Sequence, residues 1–164
     1  KALPPAAFEP VGVTFVGGSI SSVGMQEAYE HGKKDDPLRP LFIADRDGAP
    51  PQPTMNLLLH HGVRSALEYA RSGDLQKAHA LSNPEMAPHL TFVDMGGHGY
   101  ATVRVDGATM VTDFVCIPRP IERNPREDGG PLRYRVRHEV PLWRAGERPH
   151  MRQTVLEGDA GLSV

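Results

Sequence analysis

Alternation between apolar and polar positions is strongest in the second half of the chain. His89 to Val105 reads as two alternating strands joined by a glycine turn, Gly96-Gly97-His98-Gly99. Met110 to Ile117 alternates in the same way. From Leu132 to Val140, Leu132, Tyr134 and Val136 face one way and Arg133, Arg135 and Arg137 the other, which predicts a strand with a wet, basic face. Gln153 to Leu156 predicts one last short strand. Near the start, Val11, Val13 and Phe15 alternate with Gly12, Thr14 and Val16, predicting a buried strand that breaks at Gly17-Gly18 into Ser19, Ser21 and Ser22.

Between these regions the period changes. Met55, Leu58, Leu59, Val63, Ala66, Leu67 and Ala70 form a helical stripe, so Thr54 to Ser72 is expected to be one helix. Thr54 fits its N-cap and Gly73 the residue just past its end. Asp74 is placed to cap a second helix, Leu75 to Leu81, ahead of Asn83-Pro84. The stretch 25–53 is expected to be irregular, because five prolines between Pro37 and Pro53 exclude long elements. Within it, Gln26 to His31 suits one or two helical turns and Leu41-Phe42-Ile43 an apolar anchor.

The 164 residues suffice for one domain with a modest core. A net charge of −2 gives no electrostatic case for nucleic-acid binding. The single cysteine, Cys116, has no internal partner for a disulfide and sits in an apolar strand pattern. No run of about 18 apolar residues could span a membrane as a helix. The opening residues carry no secretory signal pattern; beginning at Lys1, the chain is expected to be a processed product or a piece of something larger. So few strands, with 16 prolines and 17 glycines, are expected to find cover elsewhere.

Gly18-Ser19-Ile20-Ser21-Ser22, Pro88-His89-Leu90-Thr91-Phe92, His98-Gly99-Tyr100 and Thr112-Asp113-Phe114 occur in the order of four segments of one enzyme family. On these the chain resembles the C-terminal part of the alkaline phosphatase D (PhoD-like) metallophosphoesterases, actinobacterial phospholipase D type, with a long insertion between the first two. The resemblance implies an α/β fold: the C-terminal part of a metallophosphoesterase-type β-sandwich flanked by helices, with a two-helix insertion. It divides the chain into an extended lead (1–10), an irregular insertion (25–53), a helical pair (54–81), strands (88–117) and a tail (118–164). The family's GDxH motif is missing: Gly73-Asp74 and Gly158-Asp159 have no histidine two residues on. The implied protein is therefore a secreted two-chain enzyme. A larger N-terminal chain of the same precursor would hold iron and calcium, and this smaller chain would complete the sheet and shape the pocket. The substrate implied is a phosphodiester such as a phospholipid headgroup bond. The alternatives are an alkaline phosphatase acting on monoesters and a non-catalytic secreted β-rich binding module.

The candidate substrate-binding residues are Ser19, Ser21, Ser22, His61, Arg64 and His98. A strand ending in glycines and hydroxyls brings short donors and bare N–H groups to one place, although an ordinary strand-to-loop turn has the same composition. Arg64 could grip a phosphate diester bidentately if it and His61 emerge on the face opposite a buried Val63. The eight histidines include the adjacent pair His60-His61, expected to point about 100° apart on a helix and so unable to grip one ion. No catalytic residue and no metal ligand is expected within this chain. A Ser19, His98 and Asp94 triad can be drawn, but no G-x-S-x-G elbow supports it.

Overall fold

The structure, a computed structural model, describes residues 9–32, 34–118, 125 and 131–163. The expected loop over Pro118 to Gly130 and the lead before Glu9 lie largely outside them. The chain forms two compact units: Val23–Gly96 with the Gly161–Ser163 turn, and Glu9–Ser22 with Gly97–Ala160. The described residues are mixed α/β, with four α-helices and a four-stranded antiparallel sheet. No helix among the described residues is long and apolar enough to cross a membrane.

The first unit is helical. Helix α1 spans Met25–Gly32, and the Glu27 carboxylate accepts from the Gly24 N–H at its start. The stretch expected to be irregular is ordered around a buried arginine. Arg39 donates to Asp45 at 2.5 and 3.0 Å and to the Tyr29 carbonyl. Tyr29 stacks on Phe42 with ring centroids 4.2 Å apart, and Ile43 is buried. A two-stranded ribbon follows, β1 (Ala44–Arg46) and β2 (Ala49–Gln52), turning at Asp47-Gly48 with Gly48 at φ 76°. These residues form part of the unit's packing: Thr54 Oγ1 donates to the Pro40 carbonyl and Met55 N–H to that of Phe42.

Residues 54–81 form three helices, not a pair. Gly62, at φ 91°, divides the expected long helix into α2 (Thr54–His61) and α3 (Val63–Ser72). The break shifts the phase of the stripe. Leu57 is fully buried, whereas Leu59, Val63 and Leu67 are exposed. Pro53, not Thr54, is the N-cap of α2. The other predicted ends are observed. Gly73 closes α3 in the left-handed region, and Asp74 caps α4 (Leu75–Ala80) by accepting from Lys77 N–H. The core joins Leu57, Ala66, Ala78 and Leu162.

The second unit is the sheet, in order β3 (His98–Val105), β4 (Thr109–Ile117), β5 (Tyr134–Pro141) and β6 (Arg152–Gly158). Its first hairpin turns at Asp106-Gly107-Ala108, where Asp106 Oδ1 accepts from the N–H groups of Ala108 and Thr109. On β5 the predicted alternation is observed: Tyr134, Val136, His138 and Val140 are buried and the arginines between them are not. Two predicted strands do not form. Residues 89–95 precede β3 without pairing, so the glycine turn at Gly96–Gly99 is not a hairpin. Val11–Val16 belongs to no strand, and Val11 and Val16 are 86% and 79% exposed. Phe15 does contribute, packing its ring 6.2 Å from Phe114 and 5.8 Å from His138.

Candidate functional site

In the second unit the serine turn and the glycine turn meet. Ser19 Oγ accepts from the N–H groups of Ser21 (3.2 Å) and Ser22 (2.8 Å), so this hydroxyl folds its own turn. The Gly99 N–H donates to the Ser19 carbonyl at 3.1 Å. His98, beside it, is buried at the first position of β3. A Cβ on Gly99 would lie 1.9 Å from the Val115 carbonyl oxygen, which is why glycine follows His98. Ser19, Ser21 and Ser22 are exposed. The turn thus presents hydroxyls to solvent while the Ser21 and Ser22 N–H groups are taken by Ser19 Oγ, and it does not end a buried strand.

Thr112-Asp113-Phe114 pairs with Ala101–Val103 on β3, and the Asp113 and Phe114 side chains have structural partners. Asp113 accepts from Arg137 through two bonds of 2.7 Å. That guanidinium lowers the pKa of the Asp113 carboxyl, so the pair's stabilisation is present above the carboxyl's ordinary range and is lost as pH falls through the lowered value. Arg137, one of three arginines expected on the wet face, is therefore already paired. Phe114 meets His138 edge-on at 5.5 Å, and His138 Nε2 lies 2.8 Å from Gln153 Oε1. Cys116 is buried among these strands.

His61 and Arg64 lie in the first unit, on either side of the Gly62 break. Arg64 is exposed on α3. His61 is half-buried: its Nδ1 lies 2.9 Å from Ser82 Oγ, and its ring meets His60 at 4.2 Å and His79 at 4.6 Å between centroids. The two side chains therefore do not emerge together on a free helix face, and Val63, expected to be buried beneath them, is exposed. Nor do His60 and His61 diverge as adjacent helical residues should. Burial, with smaller contributions from His60 and His79, lowers the pKa of His61 to about 4. Burial also lowers that of His60, against a hydrogen bond to the Leu90 backbone.

Among the described residues no group of three or more His, Cys, Asp or Glu side chains could hold a metal ion. The histidine contact had one signal in the sequence: His60-His61 immediately before a glycine, with His79 on the next helical segment. The buried Arg39 had none. Compared with known protein families, curated proteins and solved structures, the chain matches none.

Proposed function

We propose that this chain is the smaller, C-terminal part of a PhoD-like metal-dependent phosphoesterase, acting with a larger chain on phosphodiester bonds of the phospholipid headgroup type. One observation carries the reading: the Ser19–Gly99 hydrogen bond joins two of the four sequence segments on which the resemblance rests, and a third is paired to the same strand, β3. Segments distant in sequence that converge in this way suit a common rim. The sheet also suits a partner. Val103 and Val105, on one face of the outer strand β3, are 54% and 66% exposed, and Tyr100 on its other face is 48% exposed, an edge that a second chain would cover.

The iron and calcium of this reading belong to the larger chain, and none of this chain's residues is assigned to them. The contribution assigned here is short-range. The exposed hydroxyls of Ser19, Ser21 and Ser22 donate to a phosphoryl oxygen at the pocket rim. Ser19 is not a nucleophile in this scheme: its Oγ is occupied by two backbone N–H groups, whereas an attacking serine needs an adjacent base.

The test is turnover of the native protein on phosphatidylcholine, a small diester and a small monoester. The reading expects both diesters to be cleaved faster than the monoester. Replacing Ser19 and Ser22 together by Ala should lower diester turnover by on the order of tenfold, about 1.4 kcal/mol of transition-state stabilisation. A preference for the monoester would favour an alkaline phosphatase. No hydrolysis of any of the three would leave a binding module and end the enzyme reading.

A further inference from the structure

The helical corner of the first unit contains a cluster that the phosphoesterase reading leaves unused. Helix α2 ends at His61 because Gly62 takes a conformation (φ 91°, ψ 177°) that no helix continues through. Its last two residues, His60 and His61, lie ring on ring, and His79 of α4 covers His61. Below the rings, Asn83 N–H donates to the His61 carbonyl at 2.9 Å, and Ser82 Oγ holds Nδ1. His61 Nε2 is buried with no hydrogen-bond partner.

We propose that the His60–His61–His79 stack is a proton-operated latch: neutral imidazoles hold the end of α4 and the Ser82-Asn83 turn against α2, and protonation releases them. Neutral rings in contact behave as small apolar plates. Charged His61 carries a proton on both ring nitrogens, with buried Nε2–H lacking an acceptor to share the charge, and a second proton would set two cations within ring contact.

No opposite charge compensates His61, and the Leu90 backbone hydrogen bond acts on His60 alone. The charges acting on His61 are those of His60 and His79, and on His60 that of His79. The other charged groups of the packed helices are satisfied elsewhere or exposed. Glu68 pairs with Arg71 and Asp74 with Lys77, while Arg64 and, on the following stretch, Glu85 are exposed.

The sign follows from burial. In the closed corner His61 is held near 4, whereas the released ring returns to about 6.5, so the latch is intact above that value and loosens as pH falls toward 4. Allowing for the partial exposure of the cluster, the open population should rise on the order of tenfold between about pH 7.5 and about pH 5.

Hydrogen exchange on the full chain tests this. The Leu81, Ser82 and Asn83 amides bond to Ala78, His79 and His61 carbonyls and report on the latch; the Ala66 and Gly73 amides of α3 are the reference. Latch protection relative to the reference should fall about tenfold on acidification, and the fall should be abolished in His61→Gln and reduced in His79→Gln. His79 is exposed, so that variant decides the matter if His61→Gln does not fold. Unchanged latch protection, or an equal fall in wild type and variants, would overturn the proposal. So would NMR titration of the His61 ring near 6.5.

Discussion

Leu57→Ala should destabilise the first unit by about 2–5 kcal/mol, the range for removing a fully buried leucine. Leu57 is 0% exposed and sits where α2, α3, α4 and the C-terminal turn meet, against Ala66, Ala78 and Leu162. Two of these neighbours are alanines, too short to move into the space left behind, so the cavity term should be retained in addition to the transfer term. Leu59, two residues on, is 36% exposed. Leu59→Ala should cost less than about 1 kcal/mol. Chemical denaturation of the two variants checks the pair, and equal losses would show that the Gly62 break does not set the phase of α2.

Gly158→Ala should be the most disruptive single change in the sheet unit, at about 2–4 kcal/mol. Gly158 has φ 70°, in the left-handed region that disfavours any other residue, and an added Cβ would lie 2.1 Å from the Arg133 carbonyl oxygen. Flexible side chains can yield to such a contact, but this oxygen belongs to the backbone. It is also in use, accepting from Asp159 N–H at 3.0 Å. The methyl group must therefore push apart the end of the β5–β6 pair, where Tyr134 lies opposite Gly158 next to a bulge. The expected result is lost amide protection at Asp159 and a lower melting temperature. Gly107→Ala, with nothing within 4 Å of the added Cβ, is the control and should leave the melting temperature nearly unchanged. Equal effects of the two would refute the close-approach argument.

The parts of this fold that were legible in the sequence are those where local pattern and long-range pairing agree. β5 alternates because it is paired on both sides with one face packed, whereas β4, also paired on both sides, buries neighbouring residues in pairs, Val111 with Thr112 and Val115 with Cys116. Gly73 and Asp74 mark their helix ends by backbone chemistry that needs no tertiary contact. The failures are places where distant groups satisfy the backbone. Residues 89–95 have a strand's composition, but Val93 N–H donates to the Ser163 carbonyl and Met95 N–H to the Asn56 side chain, so no ladder is needed. Phe15 belongs to an alternating run, yet it packs its ring onto the sheet while the backbone around it joins no strand. Gly62 reads as a tolerable glycine inside a helix and is in fact its end. Of the six candidate residues, the serines and His98 lie where two sequence motifs are joined. His61 was legible as a candidate beside Arg64, but its contacts were not, because its partners Ser82 and His79 come from beyond α3.

The central claim is that the chain works as half of a two-chain phosphoesterase. The direct measurement is the intact mass of the native protein under non-denaturing conditions, taken on the fraction that hydrolyses a phosphodiester. The account predicts a complex larger than the 17.9 kDa of this chain. On denaturation it should separate into this chain and a second, heavier one, and the hydrolytic activity should be lost. An active fraction whose native mass is that of this chain alone would contradict it.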